Sequence, residues 1–143
     1  PFQSNNSTKE EKDRLSRYES FKNKLSKESI ITIREGRCQR LKIDGKLVYG
    51  QKGVDALVII DLMSIPVEHK EIKKIILIAN DSDFVPAVNK LKHFDIEVIL
   101  YTYYSKNRGS SFSRSNELLK TVSKYIELTK EDFINSNFEV KNE

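Results

Sequence analysis

Two short apolar runs, separated by a polar turn and a helical pattern, constrain the fold of this 143-residue chain more than any other feature. The first run, residues 75–78, predicts a strand within residues 73–79 that is covered on both faces. Apolar side chains then recur at helical spacing over residues 85–92, and residues 96–101 form a second run of strand length. This order predicts a β-α-β unit, in which a right-handed crossover joins two parallel strands, and therefore an α/β fold.

The rest of the chain contains weaker patterns. Residues 9–27 have apolar side chains at three- and four-residue steps, which predicts an amphipathic helix. Residues 53–63 are nearly all apolar, and their pattern fits either a strand or a buried helix. Further segments are predicted as an irregular lead-in (residues 1–9), a β-branched strand (29–34), a hairpin or strand pair on the surface (41–49), a polar loop (105–113), a helix (115–128) and a loose tail (135–143).

Charge is unevenly distributed along the chain, whose formal net charge is +4. Residues 1–50 carry 12 basic and 7 acidic side chains, whereas residues 51–143 carry 13 basic and 14 acidic ones. A basic stretch of this kind attracts polyanions, although a solvated surface without a ligand explains it equally well. The basic side chains of the stretch are Arg34, Arg37, Arg40, Lys42 and Lys46.

Cysteine content and hydropathy limit the class of protein. Cys38 is the one cysteine, so no internal disulfide forms, and one Cys with His69 and His93 does not build a zinc cluster. We therefore expect a reducing compartment and a cytoplasmic protein. No apolar run in these residues is long enough to span a membrane, and we expect no secretory leader. Since the first residue is Pro1, the chain is expected to be either a fragment or a domain with an incomplete site.

Four aspartates interrupt or follow the apolar runs. Asp81 and Asp83 lie where the first strand ends and a helix begins, the edge at which α/β sheets bind ligands. One helix cap explains one of them, whereas a cation explains both, and carboxylates favour Mg²⁺ or Mn²⁺. Asp55 and Asp61 interrupt the apolar segment and, if that segment is helical, point roughly 120° apart. Asp55 is the better candidate ligand, and Asp61 is either a ligand or a structural partner.

The aspartates lie in stretches that resemble the NYN domain family, a branch of the PIN-like nucleases. Members of this family carry a Lys-Gly-Val-Asp stretch, an Asp in the following helix and a Gly-Asp-Ser-Asp-Phe turn, in this order and at this spacing. The resemblance covers about residues 34–128. The residues that carry it are Gln51, Lys52, Gly53, Val54 and Asp55, then Asp61, then the stretch from Ile76 to Pro86 that contains Asn80, Asp81, Ser82, Asp83 and Phe84.

The resemblance implies a Rossmann-like α/β/α sandwich with a mainly parallel sheet, and a helix over residues 53–63. It implies that Asp55, Asp81 and Asp83 contribute to a divalent-metal site, with Asp61 as a further acidic catalytic position. Two departures stand out. Asn80 replaces the usual Gly of the turn, and no Asp-bearing strand precedes residue 29, although the family begins with one. We expect residues 29–134 to form the domain, after a lead-in and helix over residues 1–28.

By this resemblance the chain is expected to be a ribonuclease that uses Mg²⁺ or Mn²⁺, with single-stranded RNA as partner, and a homodimer is compatible with it. Tyr103, Tyr104 and Phe112 either stack bases or pack in the core, and Tyr101 is expected to pack in the core. A non-catalytic RNA-binding module is the alternative, and a Toprim-like metal fold is disfavoured by the Lys-Gly-Val-Asp stretch. Candidate phosphate-binding residues are Arg34, Arg37, Arg40, Lys52, Lys106, Arg108 and Arg114.

Overall fold

The computed structural model describes residues 8–104 and 114–136, although the side chains at positions 46, 47 and 135 are left out of the description. The chain divides into two compact units, Pro1–Ile60 and Asp61–Glu143, and the division falls within one helix. No helix in the described ranges is long and apolar enough to span a membrane. The elements in chain order are α1 (Lys9–Leu25), β1 (Arg37–Ile43), β2 (Lys46–Lys52), α2 (Val54–Glu68), β3 (Lys74–Ile78), a 3-10 turn (Ser82–Phe84), α3 (Val85–Lys92), β4 (Glu97–Thr102), α4 (Asn116–Thr121), β5 (Lys124–Glu127) and α5 (Lys130–Asn135).

The first unit contains the predicted amphipathic helix and the predicted hairpin. A capping box begins α1: the Thr8 hydroxyl accepts from the main-chain N–H of Glu11, whose carboxylate accepts from the N–H of Thr8. Strands β1 and β2 pair antiparallel across a two-residue turn. Both turn residues, Asp44 and Gly45, have positive φ, which tight hairpin turns require. Both predictions are therefore confirmed.

The strand predicted over residues 29–34 is wrong. This segment consists of a turn and irregular chain, and Ile30 is 88% exposed. A β-branched segment becomes a strand when a neighbouring strand supplies hydrogen bonds and a packing surface. Strands β1 and β2, however, pair only with each other among the described residues. Residues 29–34 therefore have no strand to pair with there.

The ambiguous apolar segment is a helix, as the family resemblance implies. Gly53 has φ +85°, which favours glycine, and it turns the chain from β2 into α2. Pro66 falls inside the helix, although within its last turn, and α2 ends soon afterwards at Glu68. Because the segment is helical, the two aspartates on it have different surroundings: Asp55 is exposed, whereas Asp61 is half-buried.

The second unit is built on a parallel three-stranded sheet in the order β3-β4-β5. The predicted β-α-β unit is confirmed as β3, α3 and β4, and with it the α/β fold class. Residues of β4 alternate between half-buried and buried, and Val98, Leu100 and Thr102 are at most 1% exposed. These three lie on one face of the sheet, where α3 supplies the fully buried Val88 and Leu91. The core of this unit lies on that face.

The prediction that β3 is covered on both faces is wrong. Ile76 and Ile78 are 56% and 72% exposed, whereas Leu77, on the opposite face, is buried. The reason is that β3 lies at the edge of the described sheet, and α3 packs against the neighbouring strand β4 on the face that carries Leu77. A continuous apolar run therefore does not establish burial on both faces.

The helix predicted over residues 115–128 is also wrong beyond its first half. Helix α4 ends at Thr121, Val122 is extended, and the remaining residues form β5, which pairs parallel with β4. The β-branched and aromatic residues Val122, Tyr125 and Ile126 favour a strand once β4 offers an edge to pair with. The following helix, α5, was not predicted, although its capping box of Thr129 and Asp132 is visible in the sequence.

Candidate active site

An acidic turn at the carboxyl end of β3 brings together two of the predicted site residues, Asp81 and Asp83. Asp81 has extended backbone and caps the 3-10 turn that follows, because its Oδ1 accepts from the N–H of Asp83 at 3.1 Å. The side chain of Asp83 has no hydrogen bond or ion pair to any residue in the described part of the chain, and both carboxylates are exposed. The cap therefore accounts for one carboxylate oxygen and leaves the second aspartate accessible.

Buried Phe84 anchors this turn. Its side chain is 6% exposed and is followed by Val85, Ala87 and Val88, which are buried on α3. The apolar side chains lie in the core while the aspartates lie outside it, so the turn has a defined polarity. This arrangement agrees with the rule that ligands bind beyond the carboxyl ends of parallel strands.

Asn80 joins the acidic turn to the next strand. Its Nδ2 donates to the main-chain oxygen of Tyr103 at 2.9 Å, and its Oδ1 accepts from the hydroxyl of Thr102, which is 1% exposed. Its own main-chain oxygen accepts from the N–H of Ser115 at 2.9 Å. Asn80 does not have positive φ, so the departure from Gly serves this network rather than a strained turn. Sequence reasoning noticed the substitution but not its role.

Arg114 lies at the same edge of the sheet. Its guanidinium forms a 3.0 Å ion pair with Glu127 at the end of β5 and lies 4.6 Å from the centre of the Tyr104 ring. Ser115, the next residue, caps α4 and is bonded to Asn80. Arg114 is thus held near the acidic turn, where it is engaged by a carboxylate and an aromatic ring.

The chemistry of the acidic turn fits a hard divalent cation. Its donors are carboxylate oxygens, and Mg²⁺ uses one or two carboxylates while it keeps several waters. Within residues 8–104 and 114–136, however, no group of three or more His, Cys, Asp or Glu side chains is arranged to hold a metal. The turn alone therefore offers a two-carboxylate site.

The two remaining predicted acidic residues lie on α2. Asp55 is in its first turn and belongs to the first unit, whereas Asp61 belongs to the second. The main-chain oxygen of Asp61 accepts from the hydroxyl of Ser64 at 3.0 Å. Half-burial of Asp61 is consistent with either of the roles that the sequence left open for it.

A polar cluster holds α1 to the segment that leads into β1. The phenol of Tyr18 donates to Glu35 at 2.8 Å, and Lys22 forms a 3.0 Å ion pair with the same carboxylate. The hydrogen bonds from Lys22 and Tyr18 lower the pKa of Glu35, and the bond to Glu35 raises the pKa of Lys22. A second contact joins α1 to β2, because the phenol of Tyr49 donates to Glu11.

The predicted basic residues of the first unit lie in or next to the hairpin. Arg37 and Lys52 are directly opposite each other in the β1–β2 register, and both are exposed. Like charges in this relationship destabilise a hairpin unless an anion lies between them. Arg40, opposite Tyr49, hydrogen-bonds to its phenol, and Arg34 lies just ahead of β1. Arg37 and Lys52 are thus the basic pair that the fold brings together.

An open cavity lies on the face of the sheet opposite the core. It has a volume of about 580 Å³ and follows the carboxyl ends of β3, β4 and β5. Tyr101 and Tyr103 line it, and neither is fully buried. Sequence reasoning missed its other aromatic residue, Phe133, because the helix that carries it was not predicted. Lys106, Arg108 and Phe112 lie outside the described residues.

Comparison with known proteins identifies one family. The model of the NYN domain matches residues 6–129, which include α1, the five strands of the described part of the chain and the acidic turn. The match begins earlier in the chain than residue 34, where the resemblance carried by the motifs begins. No curated protein and no solved structure matched the chain.

Proposed function

Because this chain belongs to the NYN domain family of PIN-like nucleases, we propose that it is a ribonuclease that depends on Mg²⁺ or Mn²⁺. The observation that carries this proposal is the acidic turn, which exposes Asp81 and Asp83 at the carboxyl end of β3. A role in structure alone accounts for the capping oxygen of Asp81. It does not account for Asp83.

In this proposal Asp81 and Asp83 hold the cation. The family resemblance implies Asp55 as a further metal ligand and Asp61 as a further acidic catalytic position. The chemistry that a divalent cation supplies when bound is activation of water and neutralisation of charge on the phosphate. Asn80 keeps the turn in place through its bonds to β4. Phe84 keeps the carboxylates outside the core because its ring is buried beneath them.

The substrate proposed is single-stranded RNA. Arg37 and Lys52 form an exposed pair of positive charges that suits a phosphate of the RNA backbone. Arg34, Arg40 and Arg114 are weaker candidates, because each already interacts with neighbouring side chains or atoms. Lys106 and Arg108 are retained in the proposal on their sequence positions.

Cleavage assays on the full chain test this proposal. We expect hydrolysis of a single-stranded RNA oligonucleotide with Mg²⁺ or Mn²⁺, and a loss on the order of 100-fold or more for Asp81→Asn and Asp83→Asn. Asn remains a good cap, so Asp81→Asn should fold normally. Asp95→Asn is the matched control. Asp95 is an exposed aspartate just before β4, at the amino ends of the strands, and Asn tolerates its φ of 56°.

A non-catalytic RNA-binding module is the second candidate, and one observation favours it. No third acidic ligand joins Asp81 and Asp83 among the residues that the structure describes. This candidate predicts RNA binding that weakens steeply with salt, no turnover with any divalent cation, and unchanged affinity for Asp81→Asn and Asp83→Asn. Retained binding without cleavage in the wild-type chain would favour it over the ribonuclease.

A further inference from the structure

The cavity beyond the ends of β3, β4 and β5 has the features of a small-ligand site rather than of a packing defect. Its volume of about 580 Å³ lies within the range of roughly 300–1,000 Å³ that is usual for such sites. Its floor is apolar, formed by Ile78, Tyr101 and Leu128. We call it the aromatic pocket.

Two rings at the pocket meet edge to face. The centres of Tyr103 and Phe133 are 6.2 Å apart and their planes are at 86°. Phe133 is 59% exposed, so much of its ring is accessible to a ligand. An accessible aromatic ring beside an apolar floor offers a stacking surface for a flat, partly apolar group such as a nucleobase.

The segment that carries Phe133 is held in place before any ligand arrives. Asp132 accepts from the N–H and the hydroxyl of Thr129, at 2.7 and 2.8 Å, and these bonds lower the pKa of Asp132. The N–H of Leu128 donates to the main-chain oxygen of Thr102 at 2.7 Å, which fixes the chain just before the helix. A binding surface that is already ordered loses less entropy when it binds.

The surroundings of the pocket indicate which flat ligand it accepts. Among the described residues that line the pocket, Lys130 is the charged one; it is exposed and suits a phosphate. Asn80 also lines the pocket and is adjacent in sequence to Asp81 of the acidic turn. A base with its own phosphate therefore matches the apolar floor, the ring and the positive rim together.

We propose that the aromatic pocket binds one unpaired nucleobase of single-stranded RNA, with Phe133 as the stacking residue and Lys130 at the phosphate. The proposal rests on the proposed function for the identity of the RNA. It places one base of the substrate next to the acidic turn, and it assigns to this chain a base subsite that the aspartates and the basic hairpin do not provide.

Binding measurements without divalent cations test the subsite apart from cleavage. The full chain is titrated into a fluorescent single-stranded RNA in the presence of EDTA. We expect Phe133→Ala to weaken binding about tenfold, since stacking on one aromatic side chain contributes on that scale. Phe133→Trp should restore affinity. Phe94→Ala is the matched control, because Phe94 is also exposed but precedes β4 at the opposite edge of the sheet.

A second probe reports the base itself. An RNA that carries one 2-aminopurine should lose fluorescence on binding when that base stacks in the pocket, and Phe133→Ala should reduce this quenching. An RNA with one abasic residue at the same position should bind the wild-type chain more weakly than intact RNA. The Phe133→Ala variant, in contrast, should bind the abasic RNA and the intact RNA with equal affinity.

Three results would overturn the subsite. The first is equal affinity of Phe133→Ala and Phe94→Ala, and the second is quenching that does not depend on Phe133. The third is self-association of the chain that Phe133→Ala abolishes, because a second copy would then occupy the pocket. The failure of the proposed function is a different result: the wild-type chain binds RNA through Phe133 but hydrolyses none with Mg²⁺ or Mn²⁺.

Discussion

The side-chain amide of Asn80 donates a 2.9 Å hydrogen bond to the main-chain oxygen of Tyr103, which joins the end of β3 to the end of β4. The other end of the amide accepts from the buried hydroxyl of Thr102. Asn80 lies between the aromatic pocket and the acidic turn. One side chain therefore sets the position of both candidate sites relative to the sheet.

We expect Asn80→Ala to lower the free energy of unfolding by about 1–3 kcal/mol. The reason is that the hydroxyl of Thr102 is buried and loses its partner, which costs more than the lost bond itself. Equilibrium unfolding in urea measures the change. The double variant Asn80→Ala with Thr102→Val should recover part of the loss, because no unpaired hydroxyl then remains in the core.

The matched control for this prediction is Asn89→Ala. Asn89 is exposed on α3, and alanine is a better helix former, so its stability should be unchanged or slightly higher. A loss for Asn80→Ala no larger than that for Asn89→Ala would contradict the role assigned to the amide.

A second prediction concerns the close approach of Gly36 to the start of α2. A Cβ at this position would lie 2.5 Å from Cγ2 of Val54 and 2.6 Å from the main-chain oxygen of Lys52. We expect Gly36→Ala to destabilise the first unit by about 1–3 kcal/mol, since a close-packed site tolerates added volume poorly. Loss of hydrogen-exchange protection in β1 and β2 is the measurement.

Gly50 provides the comparison for Gly36. No atom of the described residues would lie within 4 Å of a Cβ added there, and Gly50 lies inside a strand. Gly50→Ala should therefore leave stability unchanged or raise it slightly, because alanine loses less backbone entropy on folding. Similar losses at both positions would show that loss of glycine itself, rather than contact with Val54, is responsible.

The β-α-β unit, the hairpin and α1 were predictable because their signals are local. An apolar run, a helical period and the Asp44-Gly45 turn each lie within a few residues. The strand predicted over residues 29–34 failed because strand formation needs a partner, which a local pattern does not reveal. Strand β5 was missed for the converse reason, since β4 supplies the edge with which it pairs.

Only the local part of the candidate site was predictable from the sequence. Asp81 and Asp83 are close in sequence, so one turn brings them together. The network of Asn80 and the aromatic pocket depend on residues that are more than 20 positions apart and that only the parallel register makes neighbours. Long-range contacts of this kind have no signature in a single sequence.

A third prediction follows from the opposed charges of the hairpin. Since Arg37 and Lys52 are directly opposite on β1 and β2, removing one charge relieves repulsion. We expect Lys52→Gln to raise the free energy of unfolding by a few tenths of a kcal/mol while it weakens RNA binding. The slope of log affinity against log salt should become less steep by about 1, measured by fluorescence anisotropy.

Lys42→Gln is the control for the charge of the hairpin as a whole. Successive side chains of a strand point to opposite faces, so Lys42 and Arg37, five positions apart on β1, lie on opposite faces of the hairpin. Lys42→Gln should change the salt slope less than Lys52→Gln. If both variants behave alike, affinity reflects the net charge of the first unit, and the pair has no special role.

The last prediction concerns pH and the cluster of Tyr18, Lys22 and Glu35. Hydrogen bonds from Lys22 and Tyr18 lower the pKa of Glu35, so its contribution is complete above the ordinary pKa of a glutamate and is lost as the pH falls through the lowered value. The pKa of Lys22 is raised, so its contribution is lost as the pH rises through that raised value. Hydrogen exchange of α1 should therefore report weaker protection at about pH 3 than at about pH 6, once corrected for the intrinsic exchange rate.

Glu35→Gln should lose most of this acid dependence, whereas Glu19→Gln, which removes an exposed carboxylate of α1, should keep it. Equal acid dependence in the two variants would mean that another carboxylate holds α1 to the hairpin, and Glu11, which accepts a hydrogen bond from Tyr49, would be the residue to replace next.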